Sequence, residues 1–156
     1  MEIYLVRHGE AVSEYVDPAQ PLHEQGRSEV SSVARHAARV GLSVSEIRHS
    51  TKLRAKQTAE ILRDHLGPAR GVLEVDYLAP SADPGKGQDA AETATEPLML
   101  VGHLPHLARL ASLLLVGDPH REILRFRTGA IAKLERTDQG WALAWMLTPE
   151  IVGPSA

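Results

Sequence analysis

The chain has 156 residues, a length that suits one domain, since most run roughly 50–250 residues. Apolar residues at 43% and charged residues at 24% are ordinary for a globular protein and exclude collagen-like, coiled-coil and wholly disordered classes. A formal net charge of −3 gives no overall basic field for a nucleic-acid backbone, and the absence of cysteine removes disulfides, thiolate catalysis and iron–sulfur or zinc-finger chemistry.

Ile3, Tyr4, Leu5 and Val6 form a short apolar run that reads as a buried strand. With no basic leader and no long apolar core it does not read as a signal peptide. No stretch approaches the roughly 18 apolar residues of a membrane span, so a cytoplasmic monomer with no membrane partner is the expectation. The run stops abruptly at Arg7-His8-Gly9-Glu10, and two prolines mark residues 17–21 as loop. Over 24–40, Val30, Val33, Ala34, Ala37 and Ala38 recur at helical spacing, and Gly41 stands where a terminating glycine belongs. A second short strand over 44–49 ends at Ser50; a second helix runs from near Lys52 to Leu66 and stops at Gly67-Pro68. Residues 72–75 make a third strand.

Residues 79–97 contain no Val, Ile, Leu, Met or aromatic residue, and read as a polar exposed segment with one short helix around 88–95. Residues 98–101 are all apolar, a fourth strand buried on both faces and ended by Gly102-His103. Leu107, Leu110, Ala111, Leu114 and Leu115 form a helical stripe over 106–116, and two strands, 130–135 and 141–147, flank a turn at 137–140. This order predicts a single three-layer α/β/α domain over 1–156, with a mainly parallel sheet and an antiparallel strand at one edge.

In such sheets ligands bind beyond the carboxyl ends of the strands. His8 and His103 each follow a strand, so they can share one site if those strands are neighbours. The strand ending at Ser50 feeds Arg54 into the first turn of the next helix. One edge would then gather Arg7, His8, Ser50, Arg54 and His103. Guanidinium forks match phosphate oxygens, and helix starts add oriented N–H groups, so this is an anion site. Taken singly, each residue has an ordinary role as a surface ion-pair partner or a hydrogen-bonded structural histidine. His103 and His106, at i and i+3, could join His8 around a metal. No carboxylate adjoins them at metal-site spacing and Pro105 intervenes, so no metal is expected. His23, His36, His65 and His120 read as structural.

Leu5-Val6-Arg7-His8-Gly9-Glu10 resembles the Arg-His-Gly signature of the histidine phosphatase superfamily, the phosphoglycerate-mutase-like fold. The run from Ser50 to Ala59, Ser-Thr-Lys-Leu-Arg-Ala-Lys-Gln-Thr-Ala, resembles that family's Ser-x-x-x-Arg-Ala-x-Gln-Thr-Ala block. Val101-Gly102-His103 resembles its third block. Pro21-Leu22-His23-Glu24-Gln25-Gly26 resembles the Pro-Leu-Thr-x-x-Gly that opens the first helix, with His23 in place of Thr, and residues 128–132 resemble a late strand. The short length and the His-Leu-Pro-His run of 103–106 resemble the SixA-type phosphohistidine phosphatases within the superfamily.

The resemblance implies that His8 is a nucleophile that becomes phosphorylated. It implies that Arg7, Arg54 and His103 stabilise the phosphoryl group and that Gly9, Ser50 and Leu104 help to hold substrate, with no cofactor and no metal. A neutral His8 should donate its other ring nitrogen to a backbone carbonyl such as that of Gly9. Thr51 stands where many members have Pro. Larger members supply a general acid after the third strand; Asp83 is the best-placed carboxylate here, with Asp76 and Glu74 as alternatives. The expected partner is a phosphohistidine protein, with a small phosphate ester (a sugar phosphate or nucleotide) second and a non-catalytic phosphate-binding module third.

Overall fold

The computed structural model describes residues 1–154. One six-stranded sheet has the order β3-β2-β4-β1-β5-β6, formed by β1 (Glu2–Arg7), β2 (Glu46–His49), β3 (Val72–Glu74), β4 (Leu98–Gly102), β5 (Ile131–Thr137) and β6 (Gly140–Leu147). Strands β1 to β4 are mutually parallel. β5 pairs antiparallel with both β1 and β6, so the antiparallel part of the sheet is a hairpin at one edge with β6 outermost.

The two-residue repeat of a strand sends alternate side chains to opposite faces. On β1, Ile3 and Leu5 join Leu98 and Leu100 of β4 beneath α4 (His106–Val116). Tyr4 and Val6 join Met99, Val101 and Ile47 beneath α1 (Glu24–Arg39) and α2 (Leu53–Leu66). These faces are the two cores of the predicted three-layer arrangement, and the short α5 (Pro149–Val152) lies against α1. Left-handed glycines close the early helices where the sequence placed them, Gly41 at φ +84° and Gly67 at φ +56°.

Residues 79–97 depart from the expectation of an exposed segment. They hold a ten-residue helix, α3 (Pro84–Thr93), which begins four residues earlier than the sequence suggested and packs against α4. Ala91 is wholly buried, and a Cβ on Gly87 would lie 3.0 Å from a Leu110 methyl. Small residues let this helix approach closely without the bulky apolar side chains that mark a core helix in sequence. Among the described residues no helix is long and apolar enough to cross a membrane.

Candidate active site

Register brings the histidines together. Arg7 of β1 pairs with Gly102 of β4, and His49 of β2 pairs with Val101, so the residues that follow, His8, His103 and Ser50, emerge side by side from three adjacent strands. The first post-strand turns are tied as well: His8 N–H donates to Gly102 O at 3.0 Å and Ser50 N–H to Val101 O at 3.2 Å. The two imidazole rings lie 4.8 Å apart between centroids. His103 is bonded through Nε2 to Ser50 Oγ at 2.5 Å, and Ser50 Oγ also accepts from Lys52 N–H at 3.2 Å.

His8 Nδ1 lies 2.7 Å from Gly9 O. A carbonyl only accepts, so Nδ1 carries the proton and Nε2 keeps its lone pair. Gly9 N–H in turn donates to Thr58 Oγ1 at 3.0 Å, and the Thr58 hydroxyl donates to Arg54 O at 2.8 Å. The Arg-Ala-x-Gln-Thr stretch therefore braces the Arg-His-Gly loop: its Gln57 Oε1 also accepts from Leu22 N–H at 2.8 Å. Arg7 Nη1 donates to Phe126 O at 2.9 Å, which fixes the guanidinium against the loop before β5.

Burial first of all pushes the His8 imidazole down to about 4; the Gly9 hydrogen bond opposes this, and the charges of Arg54 and Arg7 add to it. His103 falls to about 3, again by burial first, then through His8, Arg54, Lys52 and His106. Burial also lowers Arg7 and Arg54, though a guanidinium stays charged. At neutral pH the site thus presents two neutral imidazoles and two cations. The arrangement offers a nucleophilic nitrogen beside fixed positive charge, which suits attack on a phosphoryl centre. For a phosphate ester stable in acid, kcat/KM corrected for substrate ionisation should show an enzyme limb near pH 4, where His8 protonates. A limb near 6.5 would show that burial does not depress His8.

Gly9 and Gly26 are close-approach glycines. A Cβ on Gly26 would collide with the Glu10 carbonyl oxygen, so the start of α1 rests on the backbone just beyond His8. His23 performs the capping its position demands: Nδ1 accepts from Gly26 N–H at 3.1 Å, and Nε2 faces a Glu10 carboxylate oxygen at 3.2 Å. Gly26→Ala is expected to destabilise the fold by about 1–3 kcal/mol and to lower turnover by displacing the His8 loop, read by thermal denaturation and a turnover assay.

The remaining expected residues scatter. Leu104 is half-buried and packs against the core beneath α4. Asp83 is exposed and caps α3, with Oδ1 accepting from Gly85 N–H at 2.8 Å. It lines a surface cavity of about 480 Å³ together with Arg109 and His120. Asp76 is exposed, and Glu74 is exposed on β3 at the sheet edge. His106 is wholly buried at the start of α4 with neither ring nitrogen hydrogen-bonded within the protein, and no group of three or more potential metal ligands occurs among the described residues. Thr58, Gln57 and Phe126 O were not singled out from sequence; the first two lie inside the quoted second block, whereas nothing local marks the third.

The profile of the histidine phosphatase superfamily (branch 1) matches residues 3–78. An uncharacterised protein of Picosynechococcus sp. is 35% identical over 141 residues, covering 84% of this chain and 83% of that one. The structure of the protein histidine phosphatase SixA complexed with tungstate superimposes with a TM-score of 0.85 at 24% identity, over 98% of this chain and 100% of that chain. A proposed phosphohistidine phosphatase SixA from Agrobacterium tumefaciens gives a TM-score of 0.77 at 25% identity, over 94% and 97% of the two chains. The α/β/α fold brings His8 and His103 together at the carboxyl ends of its central strands, with the charges of Arg7 and Arg54 acting on His8. The chain belongs to the histidine phosphatase superfamily, as a SixA-like member. It is a phosphohydrolase.

Proposed function

We propose that the chain is a protein phosphohistidine phosphatase that works through a covalent phosphohistidine on His8. The observation that carries this reading is the fate of the segment 79–97. The polar segment is folded as α3 against α4, and its best-placed acid, Asp83, is engaged as the cap of that helix. Held on α4, this segment supports a site that a protein surface can enter, and weak acid provision suits a phosphoramidate.

His8 Nε2 attacks phosphorus in line and forms a P–N bond as the P–N bond to the substrate imidazole breaks. The departing nitrogen takes a proton from solvent. Water then attacks the phosphorylated His8, phosphate leaves, and the imidazole returns to its neutral form. Arg7 and Arg54 hold the equatorial oxygens, where most of the charge of the transferring group resides. Gly9 keeps His8 in the reactive tautomer, Ser50 orients His103 beside it, and Leu104 lies on the turn that carries His103. The likeness to SixA supports the substrate class.

Asp83→Asn is the test. Asn caps a helix as well as Asp, so α3 should stay folded while the acid is lost. Phosphohistidine-protein turnover should fall only a few-fold, well below the roughly 10²–10⁴ that general acid catalysis contributes. The parent should also turn over a phosphohistidine protein faster than a panel of sugar phosphates and nucleotides. A loss of the full factor, on an ester that the parent prefers, would reverse the reading in favour of a small-molecule phosphatase.

A further inference from the structure

We propose that the connection between β1 and α1 is a docking surface for the phosphorylated protein, with Tyr15 and Val16 as its apolar anchors; this rests on the phosphohistidine-protein reading above. Tyr15 is 92% and Val16 78% exposed, the highest values among the large apolar side chains of the described residues. Single exposed apolar residues are common, but these two are adjacent and stand on a loop that is cross-tied throughout.

Tyr15 N–H donates to Ser13 Oγ at 3.2 Å, and the N–H groups of Val16 and Asp17 both donate to Ser13 O at 3.0 Å. Gln20 N–H donates to Asp17 O, and Ala19 N–H to the Asp17 carboxylate, each at 2.9 Å. The stem is closed by the antiparallel bridge between Ala11 and Leu22 and by Val12 N–H donating to Pro21 O at 2.9 Å. Gln57, one residue before Thr58 in the brace of the His8 loop, holds Leu22. A fixed loop loses little conformational entropy on binding, and a tyrosine supplies large contact area with few rotatable bonds, so this is an economical anchor for a protein partner. The same loop has no internal packing role for either side chain that would account for their identity.

Placement ties the surface to the site. The loop leaves the carboxyl end of β1 directly after His8 and Gly9. Seven positions separate His8 from Tyr15, at most about 25 Å of extended chain. A protein footprint of about 800 Å² is roughly 30 Å across, so a partner that delivers a phosphohistidine to His8 and extends toward α1 meets this loop. On the same sheet edge, exposed Lys52 and partly exposed Leu53 follow β2 and form the far side of the footprint. Exposed Glu14 beside Tyr15 and exposed Lys52 opposite give the two sides different charge, which orients a partner carrying a basic residue near its apolar contact. A small phosphorylated molecule fills only the anion site and does not reach Tyr15.

The experiment compares the parent with a Tyr15→Ser, Val16→Ser double variant. A panel of histidine phosphotransfer domains is charged with phosphoramidate, and the one that the parent turns over fastest is the protein substrate; phosphoramidate alone is the small substrate. In the double variant kcat/KM for the phosphoprotein should fall about tenfold or more, through KM with kcat retained, while the value for phosphoramidate stays within about twofold. Tyr15→Phe, which keeps the ring, should retain most of the phosphoprotein activity. An unchanged phosphoprotein value in the double variant overturns the docking surface and leaves the phosphatase reading standing. Equal losses on both substrates also overturn it, since they mark damage to the site. A parent that turns over phosphoramidate and no phosphohistidine protein overturns the reading of function and the docking surface with it.

Discussion

His8→Ala is expected to abolish turnover, by at least about four orders of magnitude, while the protein stays folded. Removal of the imidazole takes away Nε2, the nitrogen that keeps its lone pair because Nδ1 is committed to Gly9 O. The fold survives because the loop is held by its backbone: His8 N–H on Gly102 O, Gly129 N–H on His8 O and Gly9 N–H on Thr58 Oγ1 involve no His8 side-chain atom. Thermal denaturation should therefore shift little. Rapid quench at alkaline pH with labelled substrate should trap phosphate on the parent's His8 and nothing on the variant. Near-parental turnover by His8→Ala would end the covalent mechanism.

Arg54→Ala is expected to remove about 2–4 kcal/mol of transition-state stabilisation, a loss in kcat/KM of about 30- to 10³-fold, by analogy with other preorganised donors. Arg54 is the cleaner arginine to test, since Arg7 also anchors the loop before β5 through Phe126 O. Fixed positive charge counts for more here because both imidazoles are neutral at neutral pH, with His8 near 4 and His103 near 3. On the proposed mechanism the two guanidiniums carry the charge that meets the phosphoryl oxygens. Arg54→Lys keeps the charge and loses the planar fork, so it should recover only part of the rate. Chelation with EDTA should leave the parent rate unchanged. The readout is kcat/KM together with the affinity for vanadate, and an Arg54→Ala protein that keeps both would place the anion elsewhere.

Much of this was legible along the chain because strands and helices announce themselves locally. Alternating and continuous apolar runs marked β1, β2 and β4, and glycine stops marked the ends of α1 and α2. The abrupt polar breaks at Arg7-His8, His49-Ser50 and Gly102-His103 marked where chemistry could gather, since a loop beyond a parallel strand is where such sheets bind ligands. The tautomer of His8 was also foreseeable, because a neutral nucleophilic imidazole needs an acceptor for its second nitrogen.

What only the tertiary structure decided follows from contacts and burial that no local pattern encodes. Strand order placed β4 between β2 and β1, and register then set His103 between Ser50 and His8. Phe126 O as the partner of Arg7 comes from a loop 119 residues away in sequence. The depressed imidazoles come first from desolvation, which depends on what packs over a ring and not on its neighbours in the chain. The segment 79–97 looked solvated because it lacks bulky apolar residues, yet its small ones let α3 settle onto Leu110, with Asp83 as the cap of that helix. By itself the sequence determined which residues stand at the carboxyl edge of the sheet; the packing decided which of them meet and in what protonation state.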